Sequence, residues 1–287
     1  MEHHGIEALG AALAGSGDGP LALALAEDDV ELDGTLRHHF DLGFACVLAV
    51  VPDDLPRPAL ADPRIRLLRA ETRAGSSVAN IVNAAIAAAA PGRWMFYGFN
   101  AEYLFFPFCE DRGVAELCAF AMEERRDALG GVTVDLFAAD LDAHPDGVST
   151  EAAHLDRIGY FAHGRRDAHG HELDRQWDIF GGLRLRFEEH VPEDRRQIQR
   201  PGLFRAAPGL RLGPDRLFDQ AEYNSLQCPW HRSPTVAVAS FRAAKALRRN
   251  PASREAIGGF DWPGASRFDW RSRQLLDLGL IEPGQWF

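Results

Sequence analysis

Residues 94–99 read WMFYGF and run directly into Asn100-Ala101-Glu102. Six residues without a charge, and without polar alternation, suit a strand buried on both faces of a helix-covered sheet. Two similar runs precede it, Leu21–Ala26 (LALALA) and Ala45–Val51 (ACVLAVV), with a weaker one at Arg64–Leu68. Helical segments separate them. Glu31–Leu42 is polar and helix-compatible. Ser76–Ala90 (SSVANIVNAAIAAAA) has a serine to cap its start and Pro91-Gly92 to stop it. Gly113–Ala128 predicts another helix and Val132–Ala138 another strand. This βαβαβ order predicts an α/β fold around an open, mostly parallel sheet.

The second half is less regular. Ala143–Arg200 is rich in Asp, His, Arg and Gly. Thr235–Arg249 predicts a helix with Arg242, Lys245, Arg248 and Arg249 on one basic side. The tail, Ala252–Phe287, carries three of the six tryptophans and is expected to pack onto the rest.

Composition narrows the function classes. The chain has 287 residues, 46% hydrophobic and 25% charged, enough for a core that needs no disulfide. No run reaches the roughly 18 apolar residues of a membrane span. The first twenty residues lack a basic start and carry two Glu and one Asp, unlike a secretory leader. Cys46, Cys109, Cys118 and Cys228 form no CxxC pair, so the expected location is a reducing cytoplasm. A net charge of −11 argues against a nucleic-acid partner. Lys245 is the sole lysine, so any lysine nucleophile would have to be that residue.

Ligands of open α/β sheets bind beyond the carboxyl ends of the strands. There the sequence places Glu27-Asp28-Asp29, Asp53-Asp54 and Asn100-Ala101-Glu102. Carboxylates gathered at one edge can hold a divalent cation, and through it a diphosphate, or can contact a uracil or ribose. The plainer role of the same residues is to start loops and cap helices. The chain has no G-x-x-x-x-G-K-[ST], no G-x-G-x-x-G after its first long strand and no G-x-S-x-G. A P-loop NTPase, a standard dinucleotide dehydrogenase and an α/β-hydrolase are therefore disfavoured. His163, His169 and His171, among Arg165, Arg166 and Asp167, match no zinc pattern and read as a polar surface loop. His38-His39 reads as helix packing or capping.

Several segments, in order, resemble those of bacterial family 2-like glycosyltransferases. Leu36–Phe44 (LRHHFDLGF) is similar to the family's His-His helix, and Val82-Asn83-Ala84 to its "YNxA" turn. Leu155–Tyr160 (LDRIGY), Asp178–Phe187 (DIFGGLRLRF) and Gly202–Leu212 (GLFRAAPGLRL) resemble its "FxxxGY", "GGxRxRxF" and "PLxRWxPGxR" segments. The resemblance implies a GT-A-like α/β/α sandwich with a mixed, mainly parallel central sheet over residues 16–250, then an extension over 251–287. It implies transfer of a sugar from a nucleotide diphosphosugar to a glycan, lipid or protein acceptor. It puts Glu27, Asp28, Asp53, Asp54, Asn83 and Asn100 at the nucleotide, Glu102 at a metal, and Arg184 or Arg186 at phosphate. An acceptor base would come from the second half, where Asp178 is the candidate carboxylate.

The departures from the family are specific. Its Asp-Ala-Asp-Glu-Phe-Leu aligns with Phe99–Leu104, so both metal-motif aspartates fall on Phe99 and Ala101; sliding by one leaves only Asn100-x-Glu102. Ser240-Phe241-Arg242 stands where the family has His-Phe-Lys. Mn or Mg would then be held weakly, by Glu102 with help from Glu27, Asp53 and Asp54. The rival expectation is a glycosyltransferase-fold domain that binds a ligand or partner and transfers nothing.

Overall fold

The structure is a computed structural model and describes residues 2–227 and 232–286. Cys228 lies outside the described residues. The described strands, in chain order, are β1 (Glu2–His4), β2 (Leu21–Leu25), β3 (Cys46–Val51), β4 (Ile65–Arg69), β5 (Trp94–Phe99), β6 (Glu102–Phe105), β7 (Ala128–Ala138), β8 (Ala153–Asp156), β9 (Phe161–Arg166), β10 (Glu172–Phe180), β11 (Gln199–Arg205), β12 (Val236–Ser240) and β13 (Ala265–Arg267). The central sheet runs β1-β4-β3-β2-β5-β11-β7-β12-β6. Neighbours from β1 to β5 are all parallel. β11 is antiparallel to both β5 and β7, and β12 is parallel to β7 but antiparallel to β6. The sheet is thus mixed.

Helices cover both faces of the parallel half. Side chains alternate between faces along a strand. Leu21, Leu23 and Leu25 of β2 join Leu48 and Val50 of β3 against α1 (Leu9–Leu13) and α3 (Ser77–Ala88), where Leu9, Ile81 and Val82 meet them. Ala22, Ala24, Val47 and Ala49 face α2 (Leu32–Asp41) and α4 (Val114–Glu123), through Leu36, Phe40 and Leu117. Burial on both sides explains why these strands are uninterrupted apolar runs.

One expected element changes type. Residues 236–240 of the predicted 235–249 helix form β12, and α6 begins only at Arg242, ending at Arg249. All five residues of VAVAS are buried between β7 and β6, where β-branched valines fit a pleated ladder. The rest of the chain continues through α5 (Leu183–Arg186), α7 (Pro251–Ala256) and α8 (Ser272–Asp277). Asn250 caps α7 by accepting from the Ala252 N–H at 3.0 Å. In the tail, β13 pairs with β8. Phe268, Leu275 and Ile281 share a core with β6, β7 and β12. Trp286 lies against Phe106, Phe108 and Phe120, with centroids 6.1–6.3 Å apart. Among the described residues no helix is long and apolar enough to cross a membrane.

Candidate functional site

β2 and β5 end side by side, with Leu25 opposite Phe99, so Glu27-Asp28 and Asn100 leave the sheet together. Asn100 is fully buried and ties them. Its Oδ1 accepts from the Glu27 N–H at 2.8 Å, and its Nδ2 donates to Asp28 Oδ1 at 2.5 Å and to the Val30 carbonyl at 2.8 Å. The chain then turns through Ala101 in the left-handed region (φ 60), whose N–H donates to Thr35 Oγ1 at 2.8 Å. Glu102 follows at the start of β6, with a side chain 1% exposed.

Each of these carboxylates is met by a cation of the same chain. Arg242 forks onto Glu27 with two bonds of 2.6 Å, and its guanidinium lies 3.6 Å above the Phe99 ring. Lys245 Nζ reaches both Asp28 oxygens at 3.1 and 3.2 Å, and Arg249 reaches Oδ2 at 2.7 Å. Glu102 Oε2 accepts from Arg200 Nη1 at 2.9 Å and the Phe99 N–H at 3.0 Å, while Oε1 accepts from Ser240 Oγ at 3.0 Å. On the basic side of α6, Arg242 and Lys245 are therefore turned inward, while Arg249 reaches Asp28 from an exposed position. Arg248, the remaining member, donates to the Pro145 and Ile257 carbonyls.

The electrostatics follow from this pairing. Burial works to raise the Glu102 carboxyl, but Arg200 and Arg242 outweigh it and bring it down to about 2. Burial acts the same way on Asp28, and Lys245 with Arg249 holds it below the ordinary range. Asp135 on β7 goes the other way: burial raises it despite Arg184. Arg184 donates to Asp135 through its N–H (3.3 Å) and Nε (3.2 Å). Gly182 permits this approach, because its φ is +66° and a Cβ there would lie 2.9 Å from Asp135 Oδ2.

The residues present do not fit a hard divalent ion. Such ions need several charged oxygens free to turn toward them. Both Glu102 oxygens are engaged, Asp28 holds four partners, and Glu27 is forked by Arg242. Among the described residues no three His, Cys, Asp or Glu side chains are gathered to hold a metal.

The other sequence candidates lie elsewhere. Asp53 has an 82% exposed side chain, with His4 Nδ1 at 3.8 Å. Asp54 pairs with Arg73 at 2.6 Å. Asn83, on α3, clasps the Leu212 backbone, donating to its carbonyl at 3.0 Å and accepting from its N–H at 2.7 Å. Arg186 pairs with Asp156 at 3.0 Å and donates to the Phe260 carbonyl at 2.7 Å. Asp178, on β10, accepts from Arg165 Nε at 2.7 Å and Gln199 Nε2 at 3.4 Å. Arg165 and Gln199 also line a small pocket with Trp177, Arg200 and Tyr223. Arg200 is the link, since it borders this pocket and bonds Glu102.

The histidines have packing roles. His38 Nε2 bonds the Leu104 carbonyl at 2.7 Å, and His39 Nδ1 the Thr35 carbonyl at 2.8 Å, with its ring stacked on Phe96. Burial lowers both, His39 to about 3, so neither carries charge at neutral pH. His169 and His171 lie in the exposed turn between β9 and β10, their backbone N–H groups donating to Asp167.

No protein-family model matches this chain, and no curated protein matches it. Arg200 carries no motif or strand-end position that marks it in the sequence, and the basic spacing of α6 does not show that Arg242 and Lys245 meet carboxylates.

Proposed function

We propose that the chain is a glycosyltransferase-like protein of the GT-A type that binds a nucleotide diphosphosugar across the carboxyl edge of β2 and β5. One observation carries this reading. Glu27, Asp28, Asn100 and Glu102, named by resemblance, form one hydrogen-bonded and ion-paired cluster at the edge where open α/β sheets bind ligands. In this reading Asp28 and Asn100 border the nucleoside, and Asp53 and Asp54 stand at its outer rim. The leaving diphosphate is met by arginine rather than by Mn or Mg, because the nearby carboxylate oxygens are engaged. Arg200 and Arg242 pair with the cluster's own Glu102 and Glu27, whereas Arg184 and Arg186 pair with Asp135 and Asp156. Asp178 takes the acceptor side, where Trp177, 42% exposed, offers a face for a sugar ring. There Asp178 would take the proton of an acceptor hydroxyl.

A second reading has its own support. Asp28 carries Lys245, Arg249 and Asn100 on one carboxylate, which favours a closed domain that binds without transferring. Calorimetry with UDP and UDP-sugars, with Mn and with EDTA, tests both when run beside a turnover assay. Binding that changes less than about twofold with Mn is expected from the carboxylate arrangement. Turnover supports the transferase, and binding without turnover supports the closed domain. Absence of nucleotide binding overturns the transferase and leaves a domain that binds a partner.

A further inference from the structure

We infer that the protein holds a phosphoryl oxyanion beside Tyr97 and Phe99, and that Arg216 is the residue that grips it. Four arginines, Arg184, Arg200, Arg216 and Arg242, act on this one region. Three have carboxylates: Asp135, Glu102 and Glu27 respectively. Arg216 has neither an ion pair nor a hydrogen bond from its side chain among the described residues. Its one ring contact is Phe99, with the guanidinium 5.9 Å from the centroid, and Arg242 covers the same ring at 3.6 Å. Burial, and then the charges of Arg242, Arg200 and Arg184, pull the Arg216 guanidinium down to about 10. It is still cationic at neutral pH, so a half-buried positive charge stands here without a carboxylate. Such a charge calls for a counter-ion.

Two further donors nearby are unspent. The Tyr97 hydroxyl is buried, with the residue 1% exposed, and has no hydrogen-bond partner. Arg200 Nε is buried and likewise without a partner, while the Arg200 guanidinium lies 5.0 Å from the Tyr97 ring centroid. Burial raises the Tyr97 hydroxyl, and the charges of Arg200, Arg216 and Arg242 act against that rise. The backbone also holds Arg216 in an uncommon state. Its φ is +66°, in a turn where Asp215 accepts from the Leu217 N–H at 3.1 Å and Gly213 N–H donates to the Leu217 carbonyl at 2.7 Å. Planar guanidiniums with a phenolic O–H suit the oxygens of a phosphate or diphosphate.

The inference rests on the proposed function only for the source of the phosphoryl group. A nucleotide sugar and free pyrophosphate carry the same chemistry. Thermal unfolding and calorimetry of the full chain at low ionic strength, with pyrophosphate, UDP and uridine in separate arms, distinguish them. Pyrophosphate and UDP are expected to raise the unfolding temperature, and uridine is not. Arg216→Gln is expected to weaken pyrophosphate by at least about tenfold, the size of a charge-assisted hydrogen bond. In anion-free buffer it should melt no lower than the parent, because it removes an unpaired charge. Tyr97→Phe deletes only an unpartnered hydroxyl, and should weaken pyrophosphate about threefold or more without loss of stability. Pyrophosphate that fails to stabilise the parent, or binds Arg216→Gln as tightly, overturns the oxyanion site. Pyrophosphate binding without any added affinity for UDP keeps this site and sinks the nucleotide reading. UDP binding equal in parent and Arg216→Gln does the reverse.

Discussion

The carboxyl edge of the sheet and the β9–β10 hairpin are both laced with arginine–carboxylate pairs at similar distances. Arg200–Glu102 closes at 2.9 Å and Arg166–Glu172 at 3.2 Å. Their surroundings differ. The first pair has side chains 9% and 1% exposed, the second 64% and 68%. Water screens the hairpin pair and supplies its own hydrogen bonds, so little is gained by pairing. At the edge both side chains are nearly out of reach of solvent, and removing one partner strands the other. Distance alone does not rank these interactions; burial does.

Glu102→Gln is the sharpest way to break that contrast. It leaves Arg200 buried without its counter-charge, and should cost about 3–5 kcal/mol by urea unfolding. A loss below about 1 kcal/mol would put Glu102 in the same class as the hairpin.

Acid gives the next largest effect. The Glu102 carboxyl sits at about 2 in the folded chain against 4.5 as its ordinary value. Its contribution is therefore complete above about pH 4.5 and is lost as pH falls from there through 2. The loss should be about 2–3 kcal/mol. Asp135 has the opposite sign, since burial raises it and protonation relieves a cost. Urea unfolding followed from about pH 6 to about pH 2.5 should show the net fall in the parent and a shallower one in Glu102→Gln. Parallel profiles would remove Glu102 as the cause. The smallest effect is expected at the hairpin, where Glu172→Ala should change stability by less than about 1 kcal/mol. A larger loss would mean that exposure does not separate the two regions.

Legibility in the sequence follows the same divide between local and distant order. LALALA, ACVLAVV and WMFYGF were readable because burial on both faces leaves no polar residue to confuse the run. β12 was not, since VAVAS leads into RAAKALRR with no glycine or proline between them, and both fit one helical period. Glu27, Asp28, Asn100 and Glu102 were readable as positions just past strand ends. Their partners were not. Arg242 lies 215 residues from Glu27, and a basic stripe at helical spacing looks the same whether it faces water or a buried carboxylate. Arg216 stands in the turn GPDRL, whose composition predicts a bend and nothing about where the guanidinium goes.

The position of β11 between β5 and β7 has a consequence during synthesis. β5 pairs with β2 as soon as it is made, but its other edge waits for residues 203–205, about a hundred residues later. At roughly 5–20 residues per second, that edge stands open for roughly 5–20 s. It offers unpaired backbone groups flanked by Trp94, Met95, Phe96, Tyr97 and Phe99, with no charge within the strand to discourage a neighbour. The nascent chain is thus exposed to mispairing while this uncharged strand is only half enclosed, and shielding over that interval would favour its yield.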